Sequence, residues 1–306
     1  MGYFCSMTDI LIKIIPVVLL FALGYILKLL KIIKAEYADF LLRIVFYVCL
    51  PSLIIHTVGK SNLNLQYALL PLSAALIIIC TFLFTLILLP FLKMDKKSKG
   101  VFLIGTMILN CGFLIPFVYA VYGEEGLTAL LIFDLANAFI VYTFIYYLAC
   151  RYADHQPEGK RIGKKLINSP PVWSLFIALF ISIMNISLPV PVDSFLKITG
   201  DTTIPLLLIA LGAFFDPRII HFKEMTMVLF IRFGGGLLLG LFFSFLFRLE
   251  GLYRIIVILG AAAPVGFNTL TFASLEKLDI KFAASLVSFG IIIGIFLIPF
   301  LMWLFG

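Results

Sequence analysis

Two stretches decide how this chain is read: Asn110-Cys111-Gly112-Phe113-Leu114-Ile115-Pro116 and Pro264-Val265-Gly266-Phe267-Asn268. Each interrupts an apolar segment, and the two occupy matching places in the two halves of the chain. Proline lacks a backbone donor and its ring blocks an earlier carbonyl, so a break at bilayer depth leaves unpaired polar groups in a medium without water. Interrupted helices, one per half, are the pattern that marks a midplane substrate site in a secondary transporter. An ordinary kink, with the asparagine satisfying its own helix, is the alternative for either stretch taken alone.

The surrounding composition is that of an integral membrane protein, with 63% hydrophobic residues, 13% charged residues and a mean hydropathy of +1.16. The apolar runs predict an all-α protein of ten transmembrane helices, roughly 9–30, 36–57, 66–92, 98–122, 126–149, 169–187, 201–216, 225–247, 251–275 and 282–304. Membrane β-strands are shorter and alternate apolar with polar residues, which these runs do not.

The net charge of +7 is distributed as a topology signal rather than as a nucleic-acid surface. Sixteen Lys and Arg residues fall in or beside the loops joining helices 1–2, 3–4, 5–6, 7–8 and 9–10, and four in the alternate loops. The positive-inside rule makes the basic set cytoplasmic and places both termini outside a cell membrane. Residues 151–169 form the longest polar stretch and divide the chain into five-helix repeats, 1–150 and 170–306. An odd number of helices per half forces the second half to enter the membrane in the opposite sense, which is the inverted-repeat arrangement. Pro16 and Pro170 are 154 residues apart, as are Pro51 and Pro205, and Pro116 and Pro264 put the fourth helix opposite the ninth.

Other classes find little support. Met1-Gly2-Tyr3-Phe4-Cys5-Ser6 fits the loose myristoylation pattern, but this end is expected outside, away from the cytosol. The first apolar run has no basic stretch before it and no small-residue cleavage site after it, so it reads as a retained span. Five scattered cysteines and three histidines compose neither a disulfide framework nor a metal pattern. No HExxH, GxSxG or GxxxxGK[ST] motif occurs, which argues against a protease, a serine hydrolase or an ATP-driven pump.

The candidate substrate-binding residues are therefore Asn110, Gly112, Pro116, Pro264, Gly266 and Asn268. Half-helices beginning near Pro116 and Pro264 would present free N–H groups and positive dipole ends to a carboxylate. The two amides can donate to substrate or accept from freed backbone, and the two glycines let a ligand approach the main chain. Asp134 is the only carboxylate deep within a predicted span, at a cost of about 3 kcal/mol on insertion scales, and Asn137 shares its helix face. The pair could carry a coupling H⁺ or Na⁺, or form a structural hydrogen bond between helices. Arg43 and Arg232 could neutralise Asp134 or an anionic substrate, but both lie close enough to the expected cytoplasmic helix ends to be read as snorkelling cations.

At these residues the chain resembles the auxin efflux carrier family in its bacterial form, that of organic-acid permeases. The resemblance rests on Asn110-Cys111-Gly112-Phe113 with Pro116 and Tyr122-Gly123, and on Asp134 with Asn137. It further rests on Leu50-Pro51, Ile204-Pro205, Leu211-Gly212-Ala213, Arg232 and Ala263-Pro264, and it spans essentially the whole chain. It implies a fold related to bile-acid and sodium/proton carriers, in which a scaffold part and a transport part move relative to one another around crossed, broken helices. Leu114-Ile115 replaces a glycine common before the proline in that family, and the long central loop of plant members is absent.

The expected function is alternating-access transport of a small organic anion, such as malate, malonate or an auxin-like acid. A related cation/proton antiporter and a non-transporting membrane sensor are the alternatives. The expected partners are that anion and the lipid bilayer, with no nucleic acid, no cofactor beyond a coupling ion, no metal and no enzyme activity; a homodimer is compatible. The 16-to-4 asymmetry predicts that, in a background lacking native cysteines, Glu158→Cys is shielded from an impermeant thiol reagent in intact cells and Ser194→Cys is labelled. Reversed labelling would invert the topology.

Overall fold

A computed structural model describes residues 7–61, 65–153 and 169–306, so Met1–Ser6 and most of the 151–169 loop lie outside the described residues. Among those described, the chain is all-helical, with no strand and one isolated β-bridge. Seven helical stretches are long and apolar enough to cross a membrane: Met7–Leu29, Phe40–Val58, Gln66–Phe91, Cys111–Tyr152, Val190–Phe214, Phe222–Leu246 and Ile280–Phe305. Shorter apolar helices cover Pro170–Ile183 and Gly251–Ala261. Large side chains such as Leu19, Phe91, Phe245 and Phe296 project outward, an apolar exterior that only lipid would cover.

We label the helices α1 (Met7–Leu29), α2 (Ala35–Ile44), α3 (Leu50–Val58), α4 (Leu65–Leu88), α5 (Lys96–Met107), α6 (Cys111–Ile140) and α7 (Tyr146–Tyr152). The second half contains α8 (Pro170–Ile183), α9 (Val190–Asp201), α10 (Thr203–Phe214), α11 (Phe222–Phe230), α12 (Gly236–Leu246), α13 (Gly251–Ala261), α14 (Asn268–Leu275) and α15 (Ile280–Phe305). Single π-helical turns at Val45–Cys49, Val141–Ile145 and Ile231–Gly235 join α2 to α3, α6 to α7 and α11 to α12. Such insertions re-aim the side chains that follow and recur at functional sites.

Local chemistry sets the ends. Asp95 caps α5 through the Lys97 N–H at 3.1 Å, and Asp279 caps α15 through the Phe282 N–H at 3.0 Å. Gly123, at φ 63°, turns the chain within α6, so Cys111–Tyr122 and the stretch after it run in different directions. Two expectations are corrected here. The segment 188–200, expected as a connection between helices 169–187 and 201–216, is largely helical, with Val190–Asp201 forming α9. Its charges are paired, Lys197 with Asp201 at 2.8 Å and Asp193 with His56 at 2.9 Å and Lys60 at 2.8 Å. The second half-helices begin at Cys111 and Asn268; Pro116 sits five residues inside α6, and Pro264 lies in the linker before α14.

The helices sort into two packed groups. α1, α2, α3, α8, α9 and α10 form one, and α4 to α7 with α11 to α15 form the other. Close backbone approach holds the first together: a Cβ on Gly24 would lie 2.1 Å from the Ile209 carbonyl oxygen, and one on Gly212 equally close to that of Phe21. Lys28 Nζ adds a 2.6 Å bond to the Phe215 carbonyl at the end of α10. Gly212→Leu is therefore expected to pry α1 from α10 and lower the melting temperature of the purified protein by several degrees. An unchanged melting curve would refute this packing role.

Candidate functional site

The two interruptions meet. Leu109 and Val265 form an antiparallel bridge, with Asn110 N–H donating to the Pro264 carbonyl at 3.1 Å and Gly266 N–H donating to the Ile108 carbonyl at 3.0 Å. Backbone released from helix at each break is thus partly satisfied by the other break, which answers the constraint that a membrane interior imposes. Crossing this closely requires glycine at 266, where a Cβ would sit 2.2 Å from Ile108 Cγ2.

Three side chains complete the hydrogen bonding. Asn110 Oδ1 accepts from the Phe113 N–H at 3.1 Å, capping α6, while Nδ2 donates to the Val265 carbonyl at 3.1 Å. Asn137 grips both sides of Leu109, its Nδ2 donating to the carbonyl at 3.1 Å and its Oδ1 accepting from the N–H at 3.3 Å. The third is Arg232, which the sequence reading had snorkelling to the interface. It is fully buried, and its guanidinium donates to Thr106 O at 3.1 Å, Ala261 O at 2.8 Å and Ala263 O at 3.0 Å through Nη and at 3.3 Å through Nε. Those carbonyls close α5 and follow α13, the ends at which a helix dipole is negative. The π turn at Ile231–Gly235 explains the misreading, because the inserted residue aims Arg232 inward.

On the opposite side of the crossing lies a cavity of about 690 Å³. α2, α3, α8 and α10 line it on one side, and α6, α14 and the extended Ile108–Asn110 segment on the other, so it separates the two helix groups. Of the eight residues singled out from sequence, Asn110, Gly112, Gly266, Asn268, Asp134 and Asn137 line it. Pro116 and Pro264 are buried and do not. The N-termini of α6 and α14, at Cys111 and Asn268, both face this space and bring the positive ends of their dipoles. Pro116 has no N–H to donate to Gly112, leaving the carbonyl of that cavity-lining residue without its helical donor.

Asp134 is half-buried at the wall, bonded through Oδ1 to Asn137 Nδ2 at 2.7 Å. A carboxylate in the cavity is thereby one side chain away from the crossing backbone. The remaining wall is largely apolar and aromatic, with Phe46, Tyr47, Phe113, Tyr142, Phe267 and Phe272. Sequence reasoning missed the aromatic contribution because Phe and Tyr are scattered along the chain. Two of the three π turns supply half of it, Val45–Cys49 presenting Phe46 and Tyr47 and Val141–Ile145 presenting Tyr142.

Comparison with known proteins places the chain in a family. A family model described as membrane transport protein matches residues 9–161 and 158–302. The chain belongs to this family, that of the auxin efflux carriers. An uncharacterized transporter of Methanocaldococcus jannaschii is 27% identical over 283 residues, 89% of this chain and 91% of the relative. An uncharacterized transporter of Methanothermobacter thermautotrophicus is 24% identical over 291 residues, 94% and 95% of the two chains. Auxin efflux carrier component 6 of Arabidopsis thaliana is 32% identical over 142 residues, 44% of this chain and 25% of the plant protein. The resemblance drawn from the sequence motifs is borne out, and the protein is a multi-pass membrane protein of a transport family.

The two site glycines separate crossing from cavity. A Cβ on Gly112 would meet only Asn110 Oδ1, at 3.8 Å, so Gly112→Ala should fold like wild type and reduce the room for ligand. Gly266→Ala must displace Ile108 and is expected to lower the melting temperature by several degrees. Equal thermal shifts for the two variants would contradict the geometry described.

Proposed function

We propose that this chain is a secondary transporter of small organic anions, built as ten transmembrane passes in two inverted five-helix repeats, 1–150 and 170–306, joined by the basic loop 151–169. The observation that carries the reading is the crossing itself, with two helix N-termini directed into one cavity between two helix groups. Such ends stabilise a carboxylate without a cationic side chain touching it. Asn268, Gly112 and Gly266 border the same space and would contact the ligand, whereas both ends of the Asn110 side chain serve the crossing.

The volume falls within the range of small-molecule sites, and the wall is mostly apolar. Both features favour a monocarboxylate with a hydrophobic or aromatic body over a compact dicarboxylate such as malate. The cavity extends from the crossing toward Arg43, Ser169 and Leu275, near the helix ends joined by the basic loops. With those loops cytoplasmic and both termini outside the cell membrane, this is the inward-open form, and relative displacement of the two helix groups would expose the crossing to the other side.

Asp134 provides a means of coupling. An ionised carboxylate and a bound anion in one low-dielectric cavity repel, so binding of the anion favours an Asp134 neutralised by a proton or Na⁺. The two then travel together. The test is uptake into reconstituted liposomes with and without an imposed pH or Na⁺ gradient, after a thermal-shift screen of carboxylates has selected a substrate that raises the melting temperature. Asp134→Asn keeps volume and hydrogen bonding but cannot titrate. It is expected to abolish gradient-driven accumulation while downhill exchange persists. Full accumulation by the variant would remove the coupling role, and a loss of both modes together with thermal stability would mark Asp134 as structural.

A further inference from the structure

Arg232 supplies donors to the crossing, but neither those hydrogen bonds nor the proposed coupling requires its charge. Neutral donors satisfy the other freed carbonyls of the crossing, Asn110 and Asn137 side-chain amides at Val265 and Leu109 and main-chain N–H groups at Pro264 and Ile108, and a cation at mid-membrane is costly. Four hydrogen bonds to three carbonyl oxygens hold it, and among the described residues no carboxylate pairs with it. The charge balance of the crossing shows what it changes. Four helix ends meet there, the N-termini of α6 and α14 and the C-termini of α5 and α13. Each end carries about half an elementary charge, positive at an N-terminus and negative at a C-terminus, so the four cancel at any distance beyond the nearest contacts. With Asp134 neutralised, as the proposed coupling has it when the anion binds, placing one guanidinium against the two negative ends leaves the assembly with a net charge of about +1.

We infer that Arg232 is the specificity-determining charge that makes the cavity select anions, acting through the crossing backbone without touching the ligand. The inference rests on the organic-anion reading and adds the residue responsible for its charge preference. Ala263, bonded to Arg232, is three residues from Gly266 at the cavity wall, which puts the guanidinium on the order of 10 Å from the ligand space. At that distance and an effective dielectric of about 20, a unit charge changes affinity by roughly tenfold. Because the charge is wholly buried, this contribution is insensitive to salt. Arg43, exposed near the outer part of the same cavity, would by contrast give an attraction that fades as ionic strength rises.

The experiment compares 3-phenylpropionate with its neutral amide, 3-phenylpropanamide, two probes of nearly equal shape, by equilibrium binding to the purified full chain at low and high salt. Wild type is expected to prefer the carboxylate at both ionic strengths. In Arg232→Met the preference should fall by about tenfold while amide affinity changes little. A purely structural role would weaken both probes alike and leave their ratio unchanged, which would overturn the inference. If Arg232→Met does not yield folded protein, Arg232→Lys decides. It keeps the charge but loses the planar fork of donors, so it should lose thermal stability and retain the carboxylate preference; a lost preference would overturn the proposal. A wild-type protein without preference for the carboxylate would remove the anion reading, and this inference with it. A preference that survives in Arg232→Met would remove this inference alone.

Discussion

An interrupted helix inside a bilayer has no water to satisfy the groups it releases, and this protein is organised around that constraint. Breaking α5 from α6 and α13 from α14 frees backbone donors and acceptors at residues 106–113 and 261–266. They pair with one another across the Leu109–Val265 bridge, and Asn110, Asn137 and Arg232 take most of what remains. Each of those side chains comes from a different helical stretch or junction. The crossing is therefore a point where the packing of α6, α11–α12 and the two breaks must agree, and it cannot form until all are in place.

The same arrangement separates rigidity from function. Negative helix ends and their cation are sealed on one side, behind Gly236, whose Cβ would sit 2.2 Å from the Ala261 carbonyl oxygen, and Gly240, which abuts α13. Positive ends open on the other side into a cavity bounded by a second group of helices. That second group contributes side chains to the cavity but none of the hydrogen bonds described for the crossing. A shift at this boundary would leave the hydrogen bonds described for the crossing intact, as the alternating-access proposal requires.

Asp134 gains meaning from its neighbour. Asn137 donates from one nitrogen to both the carboxylate and the Leu109 carbonyl, so the aspartate is tied to the crossing by two consecutive hydrogen bonds. The structural and ion-carrying readings of this pair are therefore not exclusive. Asn137 serves the backbone, and Asp134, half-buried at the wall, remains reachable from the cavity.

Much of this was legible in the chain itself. The membrane class, the helical content, the position of both breaks and the importance of Asn110, Asp134 and Asn137 follow from hydropathy and from proline, glycine and asparagine in apolar runs, because a bilayer punishes polar groups wherever they lie in sequence. α9 was not legible, since its Asp193 is paired with His56 of α3 and with Lys60 just beyond it, long-range partners that no local pattern announces. Arg232 was misplaced for a related reason. Depth estimated along an ideal helix puts it near an interface, while a π turn and three carbonyls from distant segments turn it inward. Half of the aromatic wall of the cavity likewise comes from two π turns that leave no mark in composition. Sequence alone determined where the chain must break and that it lies in a membrane, because those follow from local covalent chemistry and the solvent. Which groups satisfy the breaks, and which side of the crossing opens into a cavity, are long-range arrangements that only the tertiary structure decided.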